Sequence, residues 1–392
     1  MKKVVIVSAK RTPIGSFMGS LSSFSAGKLG SIVIKDIVEE TKIDKNEIDE
    51  VIMGNVLTAG QGQAPARQAS IFADLPLKTE CLTINKMCGS GLKAVMLAHQ
   101  AILCDDADVI IAGGQESMSN SPYLLPNGRT GYRLGDGKVV DSVVKDGLWD
   151  VYNDIHMGSC AESCAKDFKF KREELDEFTI NSYNKAIDAQ KNNKFKEEIT
   201  SVKIQNRKGE IIVSEDEEPG KVKFDKIPNL RPVFEKDGVV TAANASSIND
   251  GAAALLVMSE EKAKELNLKP LVEIIAQSSA AKASIEFTTA PADAIAKVLK
   301  KANLTKDEID LFEINEAFSV VSLAVNKLLE LDTKKVNVNG GAVALGHPIG
   351  ASGARILVTL IHEMKKRNSN YGLASLCIGG GEASALIVKN LV

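Results

Sequence analysis

The sequence has no excess of either charge, no long hydrophobic run and few cysteines. Lys and Arg total 48 against 51 Asp and Glu, a formal net charge of −3. No bulk attraction to nucleic acid or to an anionic membrane is therefore expected. No apolar run approaches the ~20 residues that a membrane-spanning helix needs. The opening Met1–Ser8 has only a short apolar stretch before Lys10 and Arg11, which reads as a buried first strand and not as a signal peptide. Six cysteines in 392 residues are too few for a disulfide scaffold, and a cytoplasmic protein with free thiols is expected. His156, Cys160 and Cys164 lie four apart, but on a helix the outer two Cα atoms would stand about 12 Å apart. No metal site is expected there.

The remaining composition is globular: 44% hydrophobic and 25% charged residues, enough apolar material for large cores. At about 150 residues per domain, the length suggests two or three domains.

The chain repeats itself. Lys45-Asn46-Glu47-Ile48-Asp49 is echoed by Lys306-Asp307-Glu308-Ile309-Asp310, an offset of 261 from Glu47 to Glu308. Ser90-Gly91 and the helical pattern after it are echoed by Ser352-Gly353, an offset of 262. Each copy then runs into a strand ending in glycines, Asp108–Gly114 and Leu373–Gly381. Three matches in one order indicate two similar halves, 1–118 and 270–392. β-Branched runs such as Val109-Ile110-Ile111 suit strands buried on both faces, so each half reads as a sheet covered by helices and the whole as layered α/β. The stretch 119–248 differs in its charge and turn residues and reads as an insertion. It holds a helix over Arg172–Gln190 and a hairpin of Val202–Ile204 with Ile211–Val213 around Arg207-Lys208-Gly209-Glu210. Its acidic run Glu215–Glu218 reads as a solvated loop. Ala252–Met258 then returns to the first half's sheet, giving that half a second piece at about 249–269.

Reactive residue types concentrate in three glycine-framed segments. In Asn85-Lys86-Met87-Cys88-Gly89-Ser90-Gly91, a thiol precedes a helix, whose N-terminal partial charge and free N–H groups favour a thiolate and an oxyanion. A buried small residue starting a helix is an equally good reading of that segment alone. In Gly346-His347-Pro348-Ile349-Gly350, the histidine is biased toward extended backbone by the proline. It is a better base than His99 or His362, which lie at helical spacing and read as surface or groove residues. Cys377-Ile378-Gly379-Gly380-Gly381 leaves backbone N–H groups unobstructed for an anion. Asn315-Glu316-Ala317-Phe318 adds a fourth polar element at a strand end.

Together with Gly113–Ser119, these motifs resemble those of the thiolase family, most closely its biosynthetic branch, over the whole chain. The resemblance implies a duplicated α/β/α/β/α fold in which 119–248 forms a coenzyme A-binding loop domain. It implies acetyl-CoA C-acetyltransferase activity, joining two acetyl-CoA into acetoacetyl-CoA and CoA, with no cofactor beyond the CoA thioester substrate. Cys88 resembles the nucleophile, His347 its activating base and Cys377 the acid/base at the second substrate's Cα. Asn315 would position a water that joins His347 in one oxyanion hole, and the N–H groups of Cys88 and Gly379 would form another. Leu148, His156, Met157, Phe234, Ala242 and Ser246 match positions near CoA, and Ala317 and Phe318 would line the reaction pocket. A homotetramer is implied as well.

The chain departs from the family pattern in places. Glu218-Pro219-Gly220-Lys221 stands where an arginine is usual, which shifts the nucleotide contact to Lys221 or removes it. Phe287 replaces a methionine and alters the acyl pocket wall; Cys160 replaces a threonine and Ala383 a glycine. The nearest rival activity is a degradative 3-ketoacyl-CoA thiolase. A carrier-protein-linked condensing enzyme would pair its cysteine with two histidines, and a non-enzymatic CoA-binding module would lack a reactive group.

Overall fold

The computed structural model describes residues 2–206 and 209–392. The first half runs β1 (Val4–Arg11), α1 (Ala26–Thr41), β2 (Glu50–Gly54), α2 (Pro65–Phe72), β3 (Glu80–Ile84), α3 (Ser90–Leu103) and β4 (Val109–Ser117). The insertion follows, with α4 (Met157–Phe168) and α5 (Arg172–Lys191), before β5 (Asn249–Ser259). The second half runs β6 (Val272–Ala281), α6 (Ala290–Ala302), β7 (Leu311–Ile314), α7 (Ser319–Leu329), α8 (Ser352–Arg367), β8 (Tyr371–Ile378) and β9 (Glu382–Asn390).

These strands pair in the order β7-β8-β9-β6-β1-β5-β4-β2-β3, and the short strand Gly15–Ser16 joins β5. Within the sheet, two pairings among the described residues join the halves, Val5 with Glu273 and Ile6 with Val272. Successive residues of each strand face different helix layers. In β5, Ala252, Ala254, Leu256 and Met258 pack with α1 and α2, whereas Ala253, Leu255 and Val257 pack with α3 and α8. In the second half, Phe312 and Ile314 face α6 and α7 while Leu311 faces α3 and α8. Five layers result: helices, half-sheet, the α3–α8 pair, half-sheet, helices.

The repeated segment has one structural job in both copies. Lys45–Glu47 and Lys306–Glu308 each form a single 3-10 turn. The carboxylate after each turn receives two backbone N–H groups at the start of a strand. Asp49 accepts from Asp108 and Val109 (2.8 and 3.0 Å), and Asp310 accepts from Asn370 and Tyr371 (2.7 and 3.0 Å). The copies diverge at the sheet edge. Where the first half has the full strand β3, the second has a single bridge between Phe312 and Val336.

Two expectations need correction. The acidic run is not a solvated loop. Arg11, fully buried at the end of β1, donates to both Asp216 oxygens (2.7 and 2.9 Å) and to Glu198 (2.6 Å), over the ring of Phe195. Asp216 also accepts from the N–H of Ile14, and Glu217 from those of Ser16 and Ser20. Buried charges need such complete pairing, and losing one partner is strongly destabilising. The run therefore clamps the insertion to the first half. His99 is also interior, meeting Gln277 at 2.9 Å, whereas His362 lines a surface groove with Lys10, Glu40 and Lys365 and donates from Nε2 to the carbonyl of Ala9 at 2.9 Å. The expected hairpin forms between Val202–Asn206 and Gly209–Val213; residues 207 and 208 of its turn lie outside the described residues.

The central helices α3 and α8 cross at their first turns. A Cβ on Gly353 would lie 2.4 Å from the backbone nitrogen of Leu92, and one on Gly91 would lie 2.7 Å from that of Ala354. The contact is backbone against backbone, so no rotamer change can relieve an added methyl. Gly353→Ala should destabilise the protein by roughly 1–3 kcal/mol or more, the usual cost of overpacking. A thermal unfolding midpoint equal to wild type would show that the crossing tolerates a side chain.

Candidate active site

The crossing brings the turn before α3 and the loop before α8 together. Cys88 follows Met87, a non-glycine residue at φ 46°, in the left-handed region that costs a side chain strain. Local hydrogen bonds hold this turn: Met87 N–H donates to Asn85 Oδ1 (2.9 Å), Ser90 Oγ donates to the Met87 carbonyl (2.6 Å), and Lys86 N–H donates to Ser90 Oγ (2.9 Å). The next residue sits against the end of β8, where a Cβ on Gly89 would lie 2.4 Å from Ile378 Cδ1. Ile378 lies between Cys377 and Gly379, so this one contact draws the three sequence-predicted residues Cys88, Cys377 and Gly379 into one place.

Electrostatics follow from that proximity. Burial pushes the Cys88 thiol up to about 11, although the backbone N–H groups of Gly379 and of Cys88 itself point at its sulfur and act in the opposite direction. Cys377 is fully buried, and burial followed by its proximity to Cys88 raises it further. Both shifts favour the thiol form at neutral pH.

His347 enters from the other side. Its backbone N–H donates to Asn249 Oδ1 (2.8 Å). Ile349, two residues on, packs in the same apolar cluster as Cys88, with Val56, Leu57, Met118 and Val143. The ring's tautomer follows from a hydrogen-bond chain. Ser352 Oγ bridges His347 Nδ1 (2.6 Å) and the Pro348 carbonyl (2.9 Å), and by donating to the carbonyl it accepts from Nδ1–H. Nε2 is left with a free lone pair, and it is buried with no hydrogen-bond partner among the described residues. Burial, and then the cation of Arg355, lower His347 to about 3. At neutral pH it is therefore an uncharged imidazole with Nε2 as its open acceptor. Asn315 Nδ2 lies 3.5 Å from Nδ1, and its Oδ1 is also buried without a partner.

The insertion lines the approach. Met157 packs with Cys377 and Ala317, and its N–H donates to the Leu148 carbonyl (2.9 Å). Leu148 packs against the cluster that holds Cys88. His156 stacks on Phe234 at 4.7 Å, Phe234 meets Phe318 edge-on at 6.5 Å, and Phe287 meets Phe318 at 6.3 Å. Ser246 donates through both N–H and Oγ to the Ala317 carbonyl (3.0 and 2.8 Å). Ala242 stands apart, exposed on the turn Thr241–Asn244. Lys221 is engaged within the chain, with its ammonium on Ser16 Oγ and 3.6 Å from Glu217. His156, Cys160 and Cys164 do not converge: His156 caps α4, Cys160 faces the α6 layer, and Cys164 packs with Leu175 and Val320. No metal-binding cluster occurs among the described residues.

Two supporting residues escaped the sequence reading. Ser352 had a signal, a hydroxyl five residues after the histidine at a helix start. Glu116 had little: a carboxylate buried after a glycine pair, with partners far away in the chain. It accepts from the N–H groups of Val56 (3.0 Å), Leu57 (3.1 Å) and Gly350 (2.8 Å) and from Asn55 Nδ2 (2.6 Å), binding the two loops around the Cys88 cluster. Burial raises it to about 7 against those four donors.

A duplicated five-layer chain with two thiols, a neutral imidazole and convergent amide donors defines a thiol-based acyl-transfer architecture. Comparison with known proteins identifies which one. Residues 4–261 match the thiolase N-terminal domain and residues 268–390 the thiolase C-terminal domain. A mitochondrial acetyl-CoA acetyltransferase of Bos taurus is 54% identical over 393 residues, covering 100% of this chain and 92% of that protein. An acetyl-CoA acetyltransferase of Cupriavidus necator is 53% identical over 391 residues, covering 99% and 100%. The crystal structure of the Bacillus anthracis acetyl-CoA acetyltransferase matches with TM-score 0.97 at 42% identity, covering 100% and 99%. A thiolase of Ascaris suum in complex with coenzyme A matches with TM-score 0.95 at 46% identity over all of both chains. The chain belongs to the thiolase family.

Ser352→Ala should leave Cys88 in place but free the His347 tautomer. The expected loss in kcat is a part of the ~10²–10⁴-fold that general acid–base catalysis contributes. Wild-type kcat in this variant would refute the tautomer assignment.

Proposed function

We propose that this chain is an acetyl-CoA C-acetyltransferase, which reversibly condenses two acetyl-CoA into acetoacetyl-CoA and CoA through an acyl thioester on Cys88. The observation that carries this reading is the meeting of Cys88 with Cys377 and Gly379 where Gly89 presses on Ile378, in the same apolar cluster as Ile349 of the His347 loop.

The steps balance with this chain's own groups. His347 Nε2 takes the Cys88 proton as the sulfur attacks the thioester carbonyl, and the two N–H groups receive the oxyanion. The C–S bond to CoA breaks, and Cys377 gives its proton to the departing CoA sulfur. The Cys377 thiolate then removes a Cα proton from a second acetyl-CoA. The resulting enolate, its oxygen held by His347 with a water positioned by Asn315, attacks the acyl carbon. Cys88 leaves as thiolate and recovers its proton from His347. No cofactor is required, and acyl transfer between thioesters keeps the group activated.

Substrate size is the finer question. Phe287 is buried in one cluster with Cys377, Ala317 and Phe318, a bulky wall that favours short acyl groups over the longer chains of a degradative thiolase. Leu148, His156, Met157, Phe234, Ser246, Ala317 and Phe318 are the proposed CoA contacts, and Ala242 would contribute only from the rim. Lys221, occupied by Ser16 and Glu217, is not part of that set.

A homo-oligomer, by family a tetramer, is supported by apolar side chains left exposed on 123–139 (Tyr123, Leu125, Leu134, Val139) and beside the edge strand β3 (Phe72, Leu77, Leu82). Six free thiols support a cytoplasmic location.

Mass spectrometry after incubation with labelled acetyl-CoA tests the mechanism. Wild type and Cys377→Ser should carry one acetyl group, Cys88→Ser none, and Cys377→Ser should form almost no acetoacetyl-CoA. Full labelling of Cys88→Ser would overturn the assignment. Phe287→Ala should raise the kcat/KM ratio of a medium-chain 3-ketoacyl-CoA to acetoacetyl-CoA; an unchanged ratio would remove Phe287 from the pocket wall.

A further inference from the structure

Behind the imidazole lies a buried ion pair that the reaction scheme does not use. Arg355 Nη1 stands 3.6 Å from Glu313 Oε2, and the two side chains are 2% and 3% exposed. None of the three guanidinium nitrogens has a hydrogen-bond partner among the described residues. A buried cation without hydrogen bonds is a liability for folding, and a well-packed apolar pair would serve stability as well or better. Its position offers a different reason for it. Glu313 of β7 and Asn315, just past its end and still bonded to the Ser375 carbonyl, flank Ile314, so both face the central helices. Ser352 and Arg355 are three apart on α8 and lie on one side of that helix. The Asn315–His347–Ser352 contacts and the Glu313–Arg355 pair are thus successive rungs between the same strand and the same helix.

We propose that Glu313 and Arg355 are positioning residues for the condensation step, holding β7 against α8 so that Asn315 and His347 keep the spacing that receives the enolate oxygen. The pair touches no reacting atom and acts through those two residues. Acylation of Cys88 uses His347 as its base but not the water held by Asn315, so it depends much less on the Asn315–His347 spacing. After burial, Arg355 is the second influence on the charge of the imidazole. Its cation opposes imidazolium formation, while the other buried charged groups around it are Arg11 of β1, Glu198 and Asp216 of the insertion, and Glu316 and Glu363. Removing the Arg355 cation lets His347 protonate at a higher pH, so the acid limb of the kcat profile moves up.

The inference rests on the proposed acetyl transfer, and the wild-type enzyme separates the two. Failure of wild type to make acetoacetyl-CoA would overturn the function; the variants test only the pair. The three variants are Arg355→Met, Glu313→Gln and the double variant. Each single variant should lose about tenfold or more in condensation kcat, a fraction of what positioned acid–base groups supply. Single-turnover acylation of Cys88 should stay within about threefold of wild type, because an interaction made only at the later transition state leaves the earlier one intact. The double variant should match or exceed the wild-type unfolding midpoint yet stay slow in condensation, and a merely structural pair would recover both. Three results would overturn the proposal: wild-type condensation in folded single variants, equal loss in both half-reactions, or an acid limb unmoved in Arg355→Met.

Discussion

Two helices that touch backbone to backbone organise this molecule. Gly91 of α3 and Gly353 of α8 occupy equivalent places in the repeat, and each presses on the first turn of the other helix. Both helix starts, with their outward N–H groups and partial positive charge, are thereby brought to one spot. Cys88 lies just before one start and His347 just before the other. The Gly350 carbonyl completes the junction, passing where Cβ atoms on Gly54, Gly91 and Gly114 would come within 2.0–3.1 Å of it. Two copies of one fold acquire a shared site because side chains are absent at the seam.

Burial determines the chemistry of that site. The same apolar enclosure raises the Cys88 thiol to about 11 and lowers His347 to about 3, so neither is charged at neutral pH. Donors aimed at the sulfur and a lone pair on Nε2 are in place before charge develops. Such preorganisation stabilises oxyanion formation without reorganising the protein at the moment of reaction.

The insertion is part of this construction. Through Asp216 and Glu198 on Arg11 it is fastened to the first strand, while Met157, Phe234 and Leu148 lie over the thiols and the aromatic wall. From composition alone Glu215–Glu218 looked solvated, since a charge run does not reveal a buried arginine some 205 residues away. His99 was misread for the same reason: helical spacing gives a face but not what that face meets.

The amino-acid order alone determined what is local or periodic: the two halves, strands apolar on both faces, and glycine-framed turns carrying Cys88, His347 and Cys377. Resemblance to a known family then named the chemistry. Only the folded chain decided the His347 tautomer through Ser352, the bracing of two loops by Glu116, the Phe287–Phe318 wall and the unpartnered Arg355 beside Glu313. Periodicity records which way a side chain faces, and short motifs record where a backbone can turn. Proton affinity and hydrogen-bond partnership arise instead from burial and from neighbours that are distant in sequence, and those exist only after the layers close.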